Sequence, residues 1–125
     1  MVAQHALTVM RTLLHLEHLA ILIACYASTV FIGHPWWLFL ALLLLPDISM
    51  LGYLAGARVG AVVYNIFHHQ GIAVALILLG WYGQYDWVLL AGIVMLGHSA
   101  MDRIFGYGLK YFSGFKDTHL GQIGR

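Results

Sequence analysis

The chain has 125 residues, 62% of them hydrophobic and 9% charged, with six Lys or Arg against five Asp or Glu. A soluble domain carries about 25% charged residues, and ionised side chains this sparse cannot clothe a water-facing surface. A formal charge of +1 gives no field for nucleic acid, and a single Cys excludes an internal disulfide. Composition thus excludes a soluble enzyme, a disordered chain, a disulfide scaffold and a nucleic-acid binder, and leaves one integral membrane domain over residues 1–125.

Four apolar runs lie along the chain, at about 12–32, 36–55, 59–81 and 87–107. Each is near the roughly 20 residues that a helix needs to cross hydrocarbon. The breaks Gly33-His34-Pro35, Gly56-Ala57-Arg58 and Tyr82-Gly83-Gln84-Tyr85-Asp86 are short and carry helix-ending Gly or Pro. Breaks this short predict antiparallel neighbours, so the expected fold is all-α, a four-transmembrane-helix antiparallel bundle. Lipid-exposed backbone must bond to itself, and no period-2 alternation favours a barrel. Glu17 with His15 and His18 in the first run suits no signal peptide, so that run is kept as a span. Residues 108–125 are too polar and too rich in Gly to span and predict a short cytoplasmic tail.

Arg11, Arg58, Arg103, Lys110, Lys116 and Arg125 fall on one side of this arrangement, while His34 and Asp86 fall on the other among Trp and Tyr. The excess of positive charge on cytoplasmic loops puts both termini in the cytoplasm.

Ionisable groups inside a span are costly, about 2.5–3.5 kcal/mol each on insertion scales, and mark function by default. The runs carry Glu17 and His18, then Asp47, then Asn65, His68 and His69, then His98, Ser99 and Asp102. Counted from the cytoplasmic ends at about 1.5 Å per residue, His18, Asp47, His68, His98 and Asp102 share one layer roughly 8–14 Å deep. His98 and Asp102 are spaced i,i+4, which puts them on one helix face. Pro46 has no N–H to donate and leaves an upstream carbonyl free beside Asp47.

Imidazoles and carboxylates converging from facing helices are the donor set for zinc or another divalent first-row metal. A cation also offsets the charge of Glu17, Asp47 and Asp102 in low dielectric. The candidate ligands are His18, Asp47, His68, His69, His98 and Asp102, with Glu17 or Asp102 as general base. The bland alternative has Arg58 and Arg103 neutralising Asp47 and Asp102 as simple ion pairs that hold the helices in register.

The motifs LLPDISMLGYLAG at 44–56, VYNIFHH at 63–69, HSAMDRIFGYGLKY at 98–111 and FKDTHLG at 115–121 resemble the small bacterial integral-membrane family catalogued as domain of unknown function 4260. The resemblance runs from LLHLEH at 13–18 to the tail. It implies membrane helices and weight on Asp117, Thr118 and His119, with a tail that folds back over the site. A more distant, partial likeness is to inner-membrane metal-dependent hydrolases. Pro46-Asp47-Ile48-Ser49 keeps one acid of their Pro-Asp-x-Asp motif, and His69-Gln70-Gly71 keeps the His and Gly of a second motif.

The leading expectation is a bacterial cytoplasmic-membrane protein with a cytoplasm-facing His and carboxylate site. It would be a metal-dependent hydrolase of a lipid-linked or amphipathic substrate, with Lys110 and Lys116 drawing in an anionic headgroup. The alternatives are a non-enzymatic accessory subunit of a larger complex, a metal-ion or proton carrier, and a haem protein ligated by a His pair. Membrane lipids are the expected surroundings, a homo-oligomer is open, and nucleic acid is not a partner.

Overall fold

The computed structural model describes residues 1–123, so Arg125 lies outside the described residues. Five α-helices follow one another: α1 (Val2–Phe31), α2 (Leu38–Leu42), α3 (Ala57–His68), α4 (Gln70–Gly83) and α5 (Asp86–Ile104). A 3-10 helix over Leu45–Ala55 continues α2, and the tail carries a small antiparallel hairpin, β1 (Asp117–Thr118) with β2 (Gly121–Gln122). α1, the stretch Leu38–Ala55 and α5 are each long and apolar enough to cross a membrane. α3 and α4 meet at 48° and make a fourth candidate span if counted together.

Local chemistry explains these segments. α1 contains neither Gly nor Pro and begins at Val2, ten residues before the apolar run. The second run changes its winding at Pro46, which cannot donate into the ladder, and Asp47 N–H bonds to Leu44 O at 3.2 Å in the i to i−3 pattern of a 3-10 turn. The third run, expected as one span over 59–81, breaks at His69, whose backbone is extended (φ −81°, ψ 118°). The His69 ring then caps α4, with Nδ1 accepting the Ile72 N–H at 3.2 Å. Gly71 makes room for this, since a Cβ there would lie 2.8 Å from His69 Cε1.

α5 is the interior helix, flanked by α4 and α1. Its approach to α4 depends on Gly80 and Gly92, because a Cβ on Gly92 would sit 2.8 Å from the Ala73 carbonyl. Cys25, Phe39, Leu89, Leu90, Ile93 and Val94 form the buried apolar cluster. Gly97 admits the Phe39 ring one residue before His98, which draws the second segment against α5 at that level. Gly52 and Gly60 face each other between the 3-10 helix and α3, across the turn at Gly56. Leu16, Ile23, Leu44, Leu51, Trp81 and Trp87 are exposed, an apolar exterior suited to hydrocarbon.

The tail docks on α3. Asn65 Oδ1 accepts the Lys110 N–H at 2.6 Å and Asn65 Nδ2 donates to the Lys110 carbonyl at 2.7 Å. Lys110 is buried, its Nζ 3.9 Å from the Phe115 ring centre and 4.8 Å from that of Tyr64. Burial pushes its ammonium below the usual range, and the charges of Asp102 and Asp47 oppose this.

Candidate metal centre

Asp47 from the 3-10 helix, His68 from the end of α3, and His98 and Asp102 from α5 bring four ligand atoms within 4.8 Å of one another. His98 Nε2 lies 3.0 Å from Asp47 Oδ1 and 3.4 Å from Asp102 Oδ2. His68 Nε2 lies 3.3 Å from Asp47 Oδ1 and 3.5 Å from Asp102 Oδ2, and the two Nε2 atoms are 3.0 Å apart. His68 and His98 are fully buried and Asp102 is nearly so, whereas the Asp47 side chain is 34% exposed.

The other ring nitrogens fix the protons. His68 Nδ1 meets the Tyr64 carbonyl at 2.8 Å, and His98 Nδ1 meets the Leu43 carbonyl at 2.6 Å. A carbonyl oxygen only accepts, so each Nδ1 carries a hydrogen and each neutral ring turns an Nε2 lone pair inward. Leu43 O is the oxygen that a residue with an N–H would occupy from position 46 in a 3-10 turn, so Pro46 frees it for His98. Two lone pairs and two carboxylate oxygens therefore face one another with no hydrogen among them. Their mutual repulsion is relieved by a proton shared within the set or by a metal ion. Five of the six edges of the tetrad are 3.0–3.5 Å and all four ligand atoms lie within 4.8 Å of one another, an elongated cluster of about the size that closes around a metal ion at zinc–nitrogen and zinc–oxygen lengths near 2.0–2.2 Å. The tetrad can hold a metal ion.

Supporting contacts surround it. Tyr64 Oη donates to Asp102 Oδ2 at 3.1 Å, and the Tyr64 ring stacks on His68 at 3.7 Å between centres. The break after His68 leaves its carbonyl outside the helical ladder. That oxygen accepts from Ser99 Oγ at 2.8 Å and from Arg103 Nη2 at 3.4 Å. Second contacts of this kind orient ligands.

The other sequence candidates stand apart from the tetrad. His18 is half-buried and bonds through Nδ1 to Leu14 O, Glu17 is exposed on α1, and His69 caps α4. The His69 ring is engaged at the start of α4 and lines a neighbouring cavity instead of joining the tetrad. Asp117 is used inside the tail, where Ser113 Oγ and Gln122 Nε2 bond to it. His119 accepts the Leu109 N–H at 2.7 Å. Its imidazole is held below the usual range first by partial burial and then by the charge of Arg103. Arg58 and Arg103 are not simple ion-pair partners of the acids: Arg58 lies over the Phe112 ring, and Arg103 bonds to the carbonyls of Tyr107 and His68. Nor does the His68 and His98 pair admit a porphyrin between nitrogens 3.0 Å apart.

Sequence reasoning did not identify the Leu43 carbonyl as the partner of His98 or Asn65 as the anchor of the tail. The Pro46 signal pointed toward the first, while nothing in the one-dimensional pattern marked the second. No curated protein and no solved structure matches the chain. A family model matches residues 11–123, nearly the whole chain and both sides of the tetrad. The chain belongs to that family, described as a domain of unknown function (DUF4260).

Proposed function

We propose that this chain is a multi-pass membrane protein whose Asp47, His68, His98 and Asp102 bind one divalent first-row metal, zinc being the best fit. The observation that carries the reading is the pair of Nε2 lone pairs 3.0 Å apart, each ring's other nitrogen already bonded to a carbonyl. We further propose that the centre is hydrolytic and acts on a lipid-linked or amphipathic substrate. Asp47 supports this: as the most exposed ligand, on an irregular segment, it is the one that water or substrate would displace. A bound metal would lower the pKa of coordinated water to about 7 and polarise the scissile group. Tyr64 holds Asp102 in place, and the docked tail shields that face from bulk water.

A closed, structural metal centre is the second reading, favoured by the count of four protein ligands where catalytic zinc usually keeps three. The grouping of Arg11 with Arg103 around one cavity, and of His34 with Asp86 around another, supports a bacterial cytoplasmic-membrane topology with both termini cytoplasmic. In such a topology the chain is one four-span domain among membrane lipids, alone, as a homo-oligomer or within a larger complex.

Elemental analysis of detergent-purified protein tests the first step, with His98→Ala and Asp47→Asn as controls. One equivalent of metal in the wild type and almost none in His98→Ala is expected. Wild type without stoichiometric metal, after reconstitution as well, overturns it. If Asp47→Asn keeps the metal and loses hydrolysis of amphipathic esters, the centre is catalytic. Full metal without any such hydrolysis in the wild type leaves the structural centre.

A further inference from the structure

A second cavity, about 590 Å³, lies between α1, the α3–α4 break and the tail. Arg11, His15, His18, His69, Arg103 and His119 line it, and no Asp or Glu does among the described residues. In a chain with nearly balanced charge, this concentration of cationic and titratable nitrogen without acid is distinctive. The cavity has the size of small-molecule sites, roughly 300–1,000 Å³.

Arg103 gives it a fixed anchor. The residue is 8% exposed, with Nη1 donating to Tyr107 O at 2.8 Å and Nη2 to His68 O at 3.4 Å. No carboxylate of the described residues lies within ion-pair distance of it. A guanidinium has five N–H donors, so this buried cation, which feels the charge of Asp102 without a direct ion pair, retains donors for a ligand. Gln70, also on the cavity wall, keeps a buried Nε2 with no hydrogen-bond partner. A buried donor without an acceptor costs about 1–3 kcal/mol, and an oxyanion in the cavity would relieve it. Lys110 of the tail is turned away onto Tyr64 and Phe115, so the cavity's cationic lining comes from arginines and imidazoles.

The geometry points to this cavity as a binding site for a phosphate ester, with Arg103 and Arg11 as its cationic contacts and Gln70 as a neutral donor. Phosphate matches the set because its three terminal oxygens accept several donors and pair bidentately with guanidinium. The cavity meets the tetrad through His68, whose carbonyl Arg103 holds and whose ring is a ligand. Its role as the substrate's anchoring site rests on the proposed metal centre, whereas the binding itself does not.

The full chain in zwitterionic detergent, both chelator-treated and zinc-loaded, is titrated calorimetrically with sodium phosphate and with short-chain phosphatidic acid. Short-chain phosphatidylcholine is the control, and metal content is measured on the same samples. Saturable binding to the metal-free chain is expected for at least one phosphate probe, weakened about tenfold in Arg11→Gln and at least as much in Arg103→Lys. Free phosphate alone binding identifies a soluble phosphate compound, and phosphatidic acid alone binding identifies a lipid headgroup. Absence of saturation with both probes overturns the site, as does wild-type affinity in Arg11→Gln. Arg11 is exposed, so that variant stays informative if Arg103→Lys does not fold. A chain that holds zinc but binds neither probe overturns this site alone. A chain that binds phosphate but never takes up metal overturns the tetrad alone.

Discussion

His68 Nε2 and His98 Nε2 face each other at 3.0 Å while both Nδ1 atoms are committed to backbone carbonyls. Zinc at 100 times its Kd should add about 2.7 kcal/mol to the stability of the folded state. A chelator should remove the increment, and His68→Ala should show no zinc dependence at all. Thermal unfolding in detergent with and without zinc checks this; equal Tm values for the wild type in both conditions would refute it.

Pro46 leaves the Leu43 carbonyl to His98. Pro46→Ala supplies an N–H that competes for this oxygen and loosens the ring, and loss of such an outer contact costs about 10–100-fold in metal affinity. Competition against a chromogenic chelator reads the change directly, while helical content by circular dichroism stays constant.

Asn65 holds the tail by two hydrogen bonds to Lys110. Asn65→Leu removes both and leaves backbone groups without partners, at about 1–3 kcal/mol apiece. Limited proteolysis should then cut between residues 106 and 116 at least several-fold faster than in the wild type, with the membrane helices intact.

His119 has a depressed pKa in the docked tail. The undocked tail therefore binds more protons than the docked one in the window below the ordinary imidazole value of about 6.5. Docking is tightest above that value and weakens as pH falls through the window. The geometry agrees, since a protonated Nδ1 cannot accept the Leu109 N–H. Protease sensitivity of the tail measured from pH 8 to about 5 should rise as the pH falls, and His119→Gln should flatten the profile.

Much of the site was legible from residue type and depth alone. Hydrocarbon penalises every polar side chain, so Asp47, His68, His98 and Asp102 stood out against their runs, and the shared depth brought together residues that the fold brings together. His18 and His69 share that depth but not that direction, because depth counting carries no rotation about the helix axis. His69 is lost to the tetrad by a break that only its own ring and Gly71 encode, in a run whose hydropathy continues without interruption. The four apolar runs were legible as well, yet the 3-10 winding and the 48° bend depend on single hydrogen bonds to which periodicity is blind. Docking of the tail rests on one Asn side chain, which carries no signal in a hydropathy profile.

The kink after His68 turns one peptide oxygen into a mechanical linkage. Arg103 grips that oxygen from one compartment, and the imidazole of the same residue reaches into the next. If both compartments fill as proposed, an anion that draws on the guanidinium acts on the same peptide that carries the ligand ring. Coupling of that kind would be reciprocal by thermodynamic necessity: a metal held between the imidazoles and aspartates would then also tune how firmly the neighbouring chamber grips its guest.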